Sequence, residues 1–274
     1  VRRQGERLVI RAELADAANG SRLWGDEYER PLADLLTVER EITREISAAL
    51  RLRLSSEQQR QLAKRQSANS EAYQLYLRGR HLFSQEPRAS REKALDYFNQ
   101  AVALDPRFAL AYTGIADVYT TFSAQYLPPS EAMPKARQAA LTALQLDETL
   151  PEAHLSLALV KLWGDWDWAG AEREVKRALA LNPNFLQAHL AYAGLLLPQG
   201  RFEAALSEAR RAEELDPLAL PSSNTVSSIF YFARQYDQAI AQFRKTLELY
   251  PNNASVHHYL GLAFSQKGLH QEAI

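Results

Sequence analysis

Cysteine is missing altogether from the 274 residues, which excludes a disulfide framework, a thiolate nucleophile and any thiolate metal site. That usage is compatible with the cytosol, and a cytoplasmic location is expected. Neither sign of charge dominates: 32 Lys and Arg stand against 33 Asp and Glu, a formal charge of −1. No global basic field therefore draws nucleic acid or an anionic membrane to the chain. Long hydrophobic runs are lacking too. Stretches such as Leu190–Leu197 stop far short of the ~20 apolar residues needed to span a bilayer. The opening from Val1 shows neither a signal peptide nor an amphipathic transit segment. Wholesale disorder is excluded from the other side, because a 46% hydrophobic content is enough to bury an extensive core.

What the chain does have is a period. Ala94, Ala136, Ala171, Ala205, Ala239 and Ala273 stand 42, 35, 34, 34 and 34 residues apart. Two turns after the first five comes another small side chain, at Ala101, Ala143, Ala178, Ala212 and Thr246, on the same helical face. Phe98, Ala140, Val175, Ala209 and Phe243 complete each apolar stripe. Pro106, Pro183, Pro217 and Pro251 then end the helices, since proline lacks an amide hydrogen and its ring clashes with the preceding turn. Glu148 takes that place in the second unit.

A second helical segment precedes each stripe, marked by Ala72-Tyr73, Ala111-Tyr112, Ala153-His154, Ala188-His189, Ser222-Ser223 and Val256-His257. The two rulers agree from the third unit onward and disagree only around Ser84–Ser90 and Ser123–Ser130, where insertions belong in loops. Each unit is a helical hairpin. Gly200 and Gly268 supply the left-handed turn between its helices, and Arg234 holds that place in the fifth unit at some steric cost. The recurrent alanines let paired helices cross at short range. In the third unit the turn reads Trp163-Gly164-Asp165-Trp166-Asp167-Trp168, with Asp167 placed to cap the next helix. Its indoles are expected to plug the turn, an exposed aromatic patch being the alternative.

A 34-residue helix-turn-helix period with these small residues and this terminal proline resembles the tetratricopeptide repeat. The resemblance runs from Ser67 to Ile274. It implies a mainly α fold, an α-α superhelix of about six hairpins with a continuous core and a concave inner surface. The last unit stops inside its second helix after Ala273, so the array is expected to lack a natural cap and to offer a route to self-association.

Residues 1–66 read differently. Leu8, Ile10, Ala12 and Leu14 alternate with Val9, Arg11, Glu13 and Ala15, as in a strand with one buried face. Asn19-Gly20 joins this to a second strand, Arg22–Glu29. From Pro31 a helix follows, with Leu35, Val38, Ile42, Ile46 and Leu50 in one stripe that must cover the hairpin. Residues 55–66 read as a polar short helix and linker into the array, and Ser70 as the cap of the first repeat helix. Leu23-Trp24-Gly25-Asp26-Glu27-Tyr28, Glu41-Ile42-Thr43-Arg44-Glu45-Ile46 and Leu50-Arg51-Leu52-Arg53-Leu54 resemble the end of a small TolB-like α/β domain. Such domains precede tetratricopeptide arrays in bacterial signalling proteins that also carry a kinase, a cyclase or a DNA-binding domain. The resemblance implies a regulatory or scaffolding limb whose effector lies elsewhere, with the domain already under way at Val1.

No catalytic constellation is recognisable. His154, His189 and His257 occupy the place that Tyr73 and Tyr112 fill in other units, which marks them as packing residues, and none has a second ligand at zinc-helix spacing. No phosphate cradle, nucleophile elbow or calcium loop appears, so no enzyme, cofactor or metal is expected. In tetratricopeptide proteins the first helices line the concave groove. The resemblance thus assigns a lining of Gln74, Arg78, Thr113 and Asp117 toward the start, Leu155, Leu159, Leu190 and Leu197 in the middle, and Asn224, Ser228, Tyr231 and His258 toward the end. The expected partner is a protein or peptide segment carrying apolar side chains. A helical repeat that reads RNA is the alternative, and the lack of a basic groove disfavours it.

Overall fold

The computed structural model describes residues 2–4, 7–15, 22–31, 41–42, 45, 69–85 and 87–273. They form two compact units, Val1–Val118 and Tyr119–Ile274. The boundary expected at residue 66 lies outside the described residues.

In the first unit, β1 (Arg2–Gln4), β2 (Arg7–Ala15) and β3 (Arg22–Pro31) form an antiparallel sheet in that order. The hairpin expected from alternation is present, with Ile10 opposite Tyr28 and Leu14 opposite Trp24, and β1 adds a strand that the sequence did not announce. Residues 41, 42 and 45 are helical, while the Asn19-Gly20 turn and most of the expected covering stripe lie outside the described residues. Tyr28 is buried and its hydroxyl donates to Glu45 Oε2 at 2.6 Å, tying the sheet to that helical residue. Burial, and then the Glu45 carboxylate, push the Tyr28 phenol upward.

The first repeat pairs α1 (Ser70–Phe83) with α2 (Arg88–Leu104), and α3 begins at Ala109 and runs to Gln125. The cap of α1 is Asn69 rather than Ser70. Its side chain accepts from the amides of Glu71 and Ala72 at 2.9 and 3.2 Å, satisfying donors that a helix start leaves open. Phe98 of α2 is fully buried, facing Gly79 of α1 and Gly114 of α3.

The second unit continues with α4 (Pro129–Leu146), α5 (Pro151–Gly164), α6 (Trp168–Leu181) and α7 (Leu186–Leu196), the last followed by a 3-10 turn at Leu197–Gln199. Then come α8 (Phe202–Leu215), α9 (Leu220–Phe232), α10 (Tyr236–Leu249) and α11 (Ala254–Gln266). Hairpins pair α5 with α6, α7 with α8 and α9 with α10, while the first helices α5, α7, α9 and α11 touch in succession. The alanines of the period lie at the crossings. Ala171, Ala178, Ala205, Ala209 and Ala239 are fully buried in one apolar cluster with Val175 and Phe243.

Gly200, Arg234 and Gly268 have φ of 70°, 60° and 74°, the left-handed turns expected at these places. Asp167 caps α6 by accepting from the Gly170 amide at 2.8 Å. Two recurrent bonds went unforeseen. The Asp or Asn after four of the second helices turns the chain, its side chain accepting from the amide two residues on at Asp105, Asp147, Asn182 and Asp216. The second bond ties down the entry loops of four units. Tyr112 Oη donates to the Pro106 carbonyl at 3.3 Å, and the Nε2 of His154, His189 and His257 does the same to the carbonyls of Glu148, Pro183 and Pro251 at 3.0, 3.0 and 2.7 Å. Of the three histidines expected as packing residues, His189 is buried, His154 half-buried and His257 exposed, and all three fasten entry loops.

Candidate interaction surface

The twelve residues expected to line a groove fall into three groups. Thr113 and Leu155 are buried, so their side chains do not contribute an open surface as expected. Thr113 Oγ1 turns back to donate to the Leu110 carbonyl at 2.8 Å. Gln74, Asp117, Leu159, Leu190, Leu197, Asn224, Ser228 and Tyr231 are half-buried. Of these, Leu159, Leu197 and Tyr231 pack partly into the cluster beneath, and Asp117 accepts from Arg80 at 2.9 Å. Arg78 and His258 are exposed, the His258 ring lying 5.5 Å from that of Tyr259.

In the second unit the open faces of α5, α7 and α9 carry more apolar surface than these residues alone. Trp163 at the end of α5 is 51% exposed and Phe232 at the end of α9 is 50% exposed. Pro198 is exposed at the same place in the repeat between them. Gly194, one turn beyond Leu190, has nothing within 4 Å of the position a Cβ would take. The spacing of the first helices, 35 residues from Ala153 to Ala188 and 34 from Ala188 to Ser222, could have found Trp163, Pro198 and Phe232 had it been carried to the ends of those helices. The expectation of a tryptophan plug holds for Trp168, which packs against the core cluster, and fails for Trp163 and Trp166, the latter 67% exposed.

Ion pairs brace the helices behind this face. The Glu172 carboxylate of α6 meets Lys176 at 2.8 Å, the Tyr192 hydroxyl of α7 at 2.9 Å and Arg201 in the following turn at 3.0 Å. The hydrogen bond from Lys176 first, with burial opposing and Tyr192 and Arg201 assisting, lowers the Glu172 carboxyl from 4.5 to about 2. A group lowered on folding stabilises the fold at pH values above its unfolded value, and the contribution is lost as the pH falls through the folded one. Between pH 4.5 and about 2 the thermal midpoint of a Glu172→Gln variant should accordingly fall less steeply than that of the wild type. Parallel slopes in scanning calorimetry would refute this role. At Glu174, burial works upward, but Lys161 at 2.6 Å and His154 Nδ1 at 2.8 Å outweigh it and hold the carboxyl below its ordinary value.

Among the described residues, no cluster of three or more His, Asp or Glu side chains could hold a metal ion, and no helix is long and apolar enough to cross a membrane.

This architecture defines a helical-repeat protein. Residues 162–219 match the family model described as "Tetratricopeptide repeat" and residues 229–268 one described as "TPR repeat". The chain therefore carries tetratricopeptide repeats. It is 30% identical over 165 residues to "Putative adenylate cyclase 3" of Rhizobium meliloti, covering 60% of this chain and 28% of that protein. It is 28% identical over 167 residues to "Transcriptional regulator HilA" of Salmonella typhimurium, covering 61% of this chain and 30% of the regulator. The chain thus spans less than a third of the length of these curated relatives. Among solved structures, the thermophilic TPR protein TTC0263 of Thermus thermophilus superposes with a TM-score of 0.59 at 16% identity, over 71% of this chain and 99% of that one. A human IFIT1 dimer with m7Gppp-AAAA superposes with a TM-score of 0.62 at 17% identity, over 74% of this chain and 48% of that one. At such identities the likeness is one of fold.

Proposed function

We propose that this chain is a non-catalytic interaction limb whose tetratricopeptide repeats hold a protein or peptide segment against the first helices of the second unit. One observation carries the reading: Trp163, Pro198 and Phe232 are exposed at equivalent places on successive units, beside half-buried Leu159 and Leu190 and the open ground over Gly194. Exposed apolar side chains that recur in this way on successive units support a partner site. The near-neutral charge supports a protein partner over nucleic acid. The parent protein is read as a bacterial cytoplasmic signalling protein with its effector in the remaining length, a reading supported by the printed names of the cyclase and regulator relatives. Residues 1–66 are read as the end of a TolB-like domain preceding an array over 67–274. The sheet and the helical residues that follow it are compatible with that assignment.

Panning a phage-displayed random peptide library against the whole chain tests the site. Enriched peptides should carry spaced apolar residues and lose affinity for Leu190→Ser and for Gly194→Glu. The second variant adds a charge where a Cβ would meet nothing within 4 Å, so its thermal midpoint should not drop. Unchanged peptide binding by both folded variants would overturn the site. If instead no peptide is enriched and an adenine-rich oligoribonucleotide is retained on filters with steep salt dependence, the nucleic-acid reading would replace it.

A further inference from the structure

The first helices of the last three units lack something that the rest of the chain has in plenty. Helices α7, α9 and α11 run for 11, 13 and 13 residues without a single Asp, Glu, Lys or Arg, although these types make up 24% of the chain. The second helices of the same array differ: α8 alone holds four glutamates and two arginines in 14 residues. Burial does not account for the contrast. Gln187 of α7 and Ser255, His258 and Ser265 of α11 are exposed, and Asn224 and Ser228 of α9 are half-buried. Water would solvate a charge at the exposed places, yet each carries an amide, a hydroxyl or an imidazole.

These uncharged polar groups share a face with the apolar ones. Gln187, Leu190 and Gly194 follow one another at three- and four-residue spacing on α7. The 34-residue period carries the last two to Asn224 and Ser228 on α9 and to His258 and Leu262 on α11. A charged side chain laid on such a surface would leave water and meet no opposite charge, a loss that apolar contact does not repay. A peptide backbone asks only for the neutral donors and acceptors that amides and hydroxyls supply. The Asn224 carboxamide oxygen is buried without a hydrogen-bond partner, an acceptor that a peptide amide would satisfy. On α5 the one lysine, Lys161, is already held by Glu174 at 2.6 Å.

We propose that the protein segment held by α7, α9 and α11 is uncharged over the stretch that faces them, and that apolar contact and neutral hydrogen bonds hold it in place of ion pairs. This rests on the peptide site proposed above and adds the chemical class of its occupant.

Random peptides displayed on phage are selected on the whole chain and counter-selected on two uncharged variants. These are Leu190→Ser, its fold checked by circular dichroism, and Gly194→Gln, which places a neutral side chain where a Cβ would meet nothing within 4 Å. The surviving consensus should be depleted of Asp, Glu, Lys and Arg relative to the unselected library. A synthetic consensus peptide should change in affinity by less than about twofold between about 50 and 500 mM sodium chloride. Lys and Glu at its centre should each weaken binding at least about tenfold while Gln is tolerated, because a surface without charge penalises both signs. A consensus rich in one sign, a strong salt dependence, or a gain from either Lys or Glu would overturn the uncharged class and leave the site standing. A selection that yields no peptide dependent on Leu190 or Gly194 would remove the site itself, and this occupant with it.

Discussion

Replacing Phe98 by alanine is expected to cost the first unit about 3–5 kcal/mol of stability, measured by urea titration followed by circular dichroism. The ring is fully buried and occupies space that two neighbouring helices have vacated for it. A Cβ on Gly79 would stand 2.5 Å from the ring, and one on Gly114 2.7 Å from it. Truncation therefore opens a cavity between α1, α2 and α3 that two glycines cannot fill, because neither has a side chain to move inward. The converse change is informative too. Gly79→Ala or Gly114→Ala should each cost roughly 1–3 kcal/mol despite raising helix propensity, because the added methyl meets an aromatic ring that has no free direction. Combining Phe98→Leu with Gly114→Ala should cost less than the two effects added, since the smaller side chain yields the space the methyl needs. Strict additivity would mean that the glycines are incidental to the fit.

A second large effect turns on two adjacent residues of α7. Ala193→Leu is expected to destabilise the second unit by roughly 1–3 kcal/mol or more, while Gly194→Ala is expected to stabilise it by up to about 1 kcal/mol. Ala193 is fully buried in the cluster that also holds Val175 and Ala205. Added carbons there must push helices apart. Gly194 faces open space, so a methyl at that place meets no atom and only the backbone entropy of glycine is removed. Denaturation midpoints of the two variants should move in opposite directions. If both fall, the open face of α7 is covered, and the proposed peptide site loses its ground.

These substitutions also mark how far reading along the chain could reach. The period of 34 by itself identifies the crossings at Ala171, Ala205 and Ala239, since a helix of about 3.6 residues per turn brings residues seven apart onto one face. The left-handed conformations of Gly200, Arg234 and Gly268 and the cap at Asp167 were legible for a similar reason: each depends on the local backbone alone. Asn69 in place of Ser70 is a slip of one residue between two good capping types. Thr113 and Leu155 were misplaced for a different reason. They lie on the face of a first helix that the tetratricopeptide resemblance marks as inner, but how deeply a residue on that face sinks depends on the size of its neighbours, and no one-dimensional spacing carries that.

The amino-acid order determined by itself the features that one helix settles with its own turns: where each begins, which stripe is apolar, where glycine or proline ends it. Only the tertiary structure decided which of those stripes a neighbouring hairpin covers. That is why Trp168 reached the core while Trp163 and Trp166 remained in water, and why Gly194 lies open one residue from the buried Ala193. Burial is a property of pairs of surfaces, set by the short-range packing of side chains distant in sequence, and it comes into being only when the chain has folded back on itself.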